Sequence, residues 1–149
     1  MIISVLQKLY RRDLEKLKQE IMAYQREENL WIIDKNILNS GGNLCLHLVG
    51  NLNHFIGTIL GETGYVRQRN LEFSSKNVPK TELVQQVEAT RLMIEKVLNQ
   101  LTERELAQEY PIIVFQEKMT TLFFLTHLST HLSYHLGQIN YHRRLLDVA

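Results

Sequence analysis

Only two prolines interrupt this chain of 149 residues, Pro79 and Pro111, and both fall between stretches with helical periodicity. Proline breaks a helix interior by removing an N–H and clashing with the preceding turn. Four long segments are therefore free to be helices. From about Ser4 to Glu28, Leu6, Leu9, Leu14, Leu17, Ile21 and Tyr24 recur at spacings of three to five, with charges between them. That is an amphipathic helix. Asn29 to Gly42 breaks the pattern. Ser40-Gly41-Gly42 signals a turn, and Asn43 is the expected N-cap.

The second helix is expected from about Leu44 to Leu60. Leu44, Leu46, Leu48, Val49, Leu52, Phe55, Ile56 and Ile59 make it apolar nearly all round, so it belongs in the interior. His47, Asn51 and His54 form its one polar stripe. Gly50, Gly57 and Gly61 offer places for close approach, although an interior glycine costs up to about 1 kcal/mol relative to alanine. Glu62 to Val78 is a long polar connection, better suited to a crossover between parallel neighbours than to a tight hairpin. The third helix is expected from Pro79 or Lys80 to about Leu101, with Leu83, Val87, Thr90, Ile94, Val97, Leu98 and Leu101 as its stripe. Thr102 to Lys118 holds Pro111 and an extended-looking Ile112-Ile113-Val114-Phe115, a short β-like excursion. The fourth helix is expected from about Thr121 to Leu146. The reading is one all-α domain over residues 1–149, a four-helix bundle with a long crossover between helices two and three. The core of such a bundle commonly hosts metal sites.

Composition excludes several partners. The formal net charge is +1, and phosphate binding needs a clustered basic surface, so nucleic acid is not expected. Arg11, Arg12, Lys16 and Lys18 alternate with Asp13, Glu15 and Glu20, as on a solvated helix face. The single cysteine, Cys45, excludes an internal disulfide and reads as a small buried hydrophobe. No stretch approaches the roughly 18 apolar residues of a membrane span. The start of the chain lacks the pattern of a signal peptide. A cytoplasmic protein is expected.

Four of the six histidines lie in the fourth helix, and His127, His131 and His135 recur every four residues. Each such step turns a helix by about 400° and climbs about 6 Å, so neighbouring imidazoles share a face. An i, i+4 pair can close on one ion, whereas the outer two stand about 12 Å apart and cannot. Spacing admits the pair His127/His131 or His131/His135, with a third ligand from His47 or His54. Unpartnered buried imidazoles would cost a few kcal/mol, which a shared ion would relieve. The competing reading is a hydrogen-bonded core network with Asn51, Tyr134, Gln138 and Tyr141.

The string His131-Leu-Ser-Tyr-His135-Leu-Gly137-Gln138-Ile139 resembles the H-x-x-x-H-x-G-Q signature of the DinB-like metalloenzyme superfamily. Asn43-Leu44-Cys45-Leu46-His47-Leu48 resembles that superfamily's other histidine element, early in the second helix. The resemblance spans essentially the whole chain. It implies His47, His131 and His135 as ligands of a divalent metal, zinc or nickel, with an open coordination position. His54 and His127 then line the site or support it, and His142 has no assigned role. The resemblance further implies a frequent homodimer. Some relatives are S-transferases using bacillithiol or isomerases using mycothiol, so a low-molecular-weight thiol is a possible cofactor. Three histidines leave a fourth position for water or thiolate, as in catalytic rather than structural sites. The expected function is a metal-dependent hydrolase or thiol S-transferase acting on a small molecule. The alternative is a non-catalytic helical dimer whose histidines form a polar network or bind metal adventitiously. Asn51 and Gln138 are candidates to orient ligands or substrate, and Gly137 is a candidate for close helix packing.

Overall fold

The computed structural model describes residues 1–148, and over these the chain is all-helical, with no strand. The α-helices are α1 (Ile2–Ala23), α2 (Gly41–Leu52), α3 (Arg69–Ser74), α4 (Lys80–Gln100), α5 (Glu103–Ala107) and α6 (Thr121–Leu146). A 3₁₀ turn covers Glu27–Trp31, and a π-helical turn, Asn53–Thr58, extends α2.

The long helices follow from apolar spacing. In α1, Leu6, Tyr10, Leu14, Leu17 and Ile21 are buried at steps of three and four. Burying each such side chain contributes about 1.5–3 kcal/mol. In α4 the buried stripe is Leu83, Val87, Thr90, Ile94, Val97 and Leu98. The fourth long helix has the bounds that its sequence predicts, and the Thr120 hydroxyl caps it by accepting from the Phe123 N–H.

Side-chain pairs fix the directions. Gln7 bonds Asn99, Arg11 bonds Glu95, and Lys80 reaches the Tyr24 carbonyl, so α1 and α4 run oppositely. Tyr10 donates to the Leu125 carbonyl, and Glu20 accepts from Asn140 and Arg143, so α1 and α6 run together. Asn53 donates to Thr90, while Gly57 meets Met93 and Gly61 meets Val97, so α2 and α4 also run together. His47 lies against His131 and Phe55 against Phe124, so α2 and α6 run oppositely. The core sits where these four helices meet, with Leu17, Leu48, Leu52, Leu98, Leu125 and Leu132 fully buried.

The structure departs from sequence expectation at the breaks. Helix α1 stops at Ala23 rather than Glu28, and residues 27–31 tighten into the 3₁₀ turn. Ser40, not Asn43, caps α2: its hydroxyl accepts the Asn43 N–H at 3.2 Å. The helix can begin at two glycines because a Cβ on Gly42 would stand 2.7 Å from the Trp31 ring. Asn43 instead donates its amide to the carbonyls of Glu72 and Ser75, tying α3 to α2. Helix α3 lies inside the expected connection; at six residues it is too short to show a period. Ile112–Phe115 is not a strand. Isolated bridges pair Glu109 with Thr120 and Val114 with Glu117. Between the second pair, Phe115 and Gln116 both take positive φ, near +60°. That turn matches the twist of a two-residue hairpin, at a cost of roughly 1–2 kcal/mol per non-glycine residue.

Past Leu52 the hydrogen bonds of α2 lengthen by one residue. Ile59 N–H reaches the His54 carbonyl, and Gly61 N–H is shared between Ile56 and Gly57. Among the described residues no helix is long and apolar enough to cross a membrane.

Candidate metal centre

Helix α6 presents His131 and His135 one turn apart, and α2 presents His47 to them. The three Nε2 atoms converge: His47 to His131 is 3.3 Å and His131 to His135 is 3.1 Å. One nitrogen from each residue lies within 4.8 Å of the others, close enough for all three to hold a single ion. His47 is buried, and His131 and His135 are half-buried.

The outer nitrogens decide what the inner ones can do. Nδ1 of His47 faces the Glu72 carboxylate at 3.0 Å, so it carries the proton and donates. Nδ1 of His135 faces the Gln138 amide oxygen at 2.7 Å and donates in the same way. Both Nε2 atoms are then lone pairs, aimed at the single Nε2 of His131. One N–H cannot satisfy two acceptors well, but a cation accepts three lone pairs at once. Acceptors at the outer ring nitrogens are what metal-bound histidines ordinarily have. The donor set therefore fits a divalent ion. His131 Nδ1 and Asn51 Oδ1 are buried side-chain atoms without a hydrogen-bond partner.

Burial, then the neighbouring His135, His47 and His127, pushes the His131 pKa down to about 4. Burial also lowers His135, partly opposed by its bond to Gln138. Both rings are neutral near pH 7, as ligation requires.

Glu72 comes from α3 and sequence spacing gave no sign of it. Its side chain is 6% exposed. Burial raises its pKa, but hydrogen bonds from His47 and Arg67 outweigh that and hold it below the usual carboxylate range. Arg67 grips it with two bonds, Nε to Oε2 at 2.9 Å and Nη2 to Oε1 at 3.0 Å. Gly50 makes room, since a Cβ there would overlap the carboxylate. The signals in the sequence were a glycine inside an apolar helix and an acid with a nearby arginine inside a polar loop; neither pointed to the other.

The remaining histidines are elsewhere. His127 packs on Phe115 and Phe124, its ring 6.4 Å from that of His131. His54 is half-buried beside Phe55, with its pKa lowered by burial and by Arg67. His142 is buried in a structural role: Nε2 donates to the Ile32 carbonyl at 2.8 Å, and Nδ1 accepts from the Tyr24 hydroxyl at 2.6 Å. Of the polar network proposed as the competing reading, Gln138 bonds His135, whereas Tyr134 and Tyr141 are more than half exposed. Cys45 is fully buried, which pushes its thiol up to about 12. Among the described residues, nothing beyond the backbone of α6 itself lies within 4 Å of where a Cβ on Gly137 would stand, so no other helix packs closely there.

Among curated proteins, none matches the chain. A family described as "Protein of unknown function (DUF1572)" matches residues 3–148, which takes in α1 through α6 and all three converging histidines. The chain belongs to the DUF1572 family.

Proposed function

We propose that this protein is a divalent-metal-dependent enzyme of the DinB-like superfamily, of hydrolase or thiol S-transferase type. Its long helices α1, α2, α4 and α6 are read as the superfamily's four-helix bundle, with residues 62–78 as the crossover. The observation that carries the reading is the convergence of three Nε2 atoms whose outer nitrogens are engaged at His47 and His135.

His47, His131 and His135 hold the ion, zinc or nickel. A bound ion of this kind supplies a Lewis acid that brings the pKa of water or a thiol toward neutral. Glu72 and Gln138 set the tautomers of two ligands, and Arg67 fixes Glu72. Because Glu72 is already bonded to His47 and Arg67, it is not free to serve as general base. The substrate is a small molecule; a low-molecular-weight thiol is a candidate co-substrate. The protein acts as a cytoplasmic homodimer in this reading.

Elemental analysis of protein purified without a histidine tag tests it. One ion per chain is expected. Absence of metal would favour the histidines as a polar structural network. With metal present, thiols are screened against electrophilic substrates for turnover.

A further inference from the structure

A cavity of about 640 Å³ opens on the His135 side of the histidine cluster, with His135 and Gln138 in its wall. Its size is that of a small-molecule site. One wall is the segment before α2, with Ile37 and Leu38, together with Leu44. The other is α6, with Tyr134, Tyr141 and Leu145. Leu38 is 86% exposed and Leu145 69% exposed, so the described residues leave these apolar side chains largely uncovered. Most of the exposed lining is apolar, and some of its polar groups are engaged within the chain. His142 spends both ring nitrogens on Tyr24 and Ile32. His135 spends Nδ1 on Gln138, and Asp34 accepts the Lys35 N–H. Lys35, Asn36, Asn39 and the hydroxyls of Tyr134 and Tyr141 are the other polar groups of the lining.

We infer that this cavity binds the apolar body of the substrate, whose polar head reaches the histidine cluster past His135. The substrate class is a small molecule with an alkyl or aromatic tail of several carbons. The inference rests on the metal-centre reading and adds the tail. The argument is continuity: one side chain, His135, belongs both to the converging set and to the apolar wall.

Linear alkyl hydroxamates test it, because the head binds a divalent ion and only the tail varies. Affinities of acetyl, butanoyl, hexanoyl and octanoyl hydroxamates are measured by calorimetry on zinc-loaded protein. Each added methylene is expected to tighten binding by about fourfold. Leu38→Asp and Leu145→Asp, both at exposed positions, should flatten that increase. Phe123→Asp, on an exposed part of α6 outside the cavity, should keep it. Equal affinity for the acetyl and octanoyl compounds overturns the cavity assignment alone. If no hydroxamate of any length binds, the metal reading falls and this one with it. A flat series in protein that sediments as a dimer would hand the apolar wall to a second copy of the chain.

Discussion

Glu72 reaches His47 only because residue 50 is glycine: the carboxylate occupies the space that a Cβ on Gly50 would fill. Alanine normally favours a helix interior over glycine by about 1 kcal/mol. Here the added methyl must displace a buried, doubly bonded carboxylate. Gly50→Ala is therefore expected to lower stability despite the better propensity, by about 1–3 kcal/mol as for overpacked cores. It should also weaken metal binding, since an outer partner of a ligand histidine is worth roughly 10–100-fold in affinity. Urea denaturation and competition with a chromogenic chelator give the two numbers. Unchanged metal affinity would mean that Glu72 does not support His47.

Alanine at His47, His131 or His135 should remove bound metal. Alanine at His127 or His54 should leave it near one ion per chain, because neither ring joins the converging set. Elemental analysis of the five variants decides the matter. Metal loss in the His127 variant equal to that in the His135 variant would favour the alternative clamp.

The pH dependence has a definite sign. Folding lowers the pKa of His131 to about 4 and lowers His135, His54 and His142 as well. Below the ordinary histidine value of about 6.5 the unfolded chain takes up protons that the folded chain refuses. The stability of metal-free protein should thus be full above pH 6.5 and fall as pH drops toward about 4. Metal adds to the trend, because protons compete for the same lone pairs. At pH 7.5 an ion present at 100 times its dissociation constant stabilises by about 2.7 kcal/mol, or roughly 5–10 °C in a chain of this size. Melting curves against pH, with and without chelator, measure both effects. Coincident curves at pH 7.5 for metal-loaded protein would end the metal-site reading.

Dimerisation was expected partly because the second helix is so apolar. That helix is internal: only Leu46 of Gly41–Leu52 is less than fully buried. Outside the cavity, the uncovered apolar groups include Phe123 on α6, 62% exposed, and Phe115 before that helix, 66% exposed. Contiguous exposed apolar surface commonly marks an interface. Sedimentation at micromolar concentration should therefore show a dimer, and Phe123→Asp with Phe115→Asp should shift it to monomer. A wild-type chain that sediments only as monomer refutes this.

What the sequence disclosed divides along contact range. Helix α6 was legible, from about Thr121 to Leu146, as a long stretch without proline after the break at Pro111. The i, i+4 spacing of His127, His131 and His135 showed that a pair could share an ion but left His127/His131 and His131/His135 both open, and the family pattern chose the second. The choice of His47 over His54 came from a family pattern, since helical geometry left both open. Arg67, Glu72 and their dependence on Gly50 were not legible. They join through contacts across a connection with no period of its own, and their types are ordinary for a solvated loop. The Ser40 cap was missed for a related reason: two glycines follow it, and the Trp31 ring that makes them suitable comes from the other side of the break.

The wide turn at Asn53–Thr58 leaves α2 with slack in its length. An ordinary helix advances about 100° per residue, so losing one residue between Ser40 and His47 would swing His47 off the cluster. Losing one residue from the wide turn would only close it to regular winding, with the ligand upstream undisturbed. Turns of this kind occur mostly as single turns within α-helices, frequently at functional sites. The half of this helix that carries His47 is thus held to a fixed residue count by the ligand it presents, whereas the wide turn beyond it has one residue to spare.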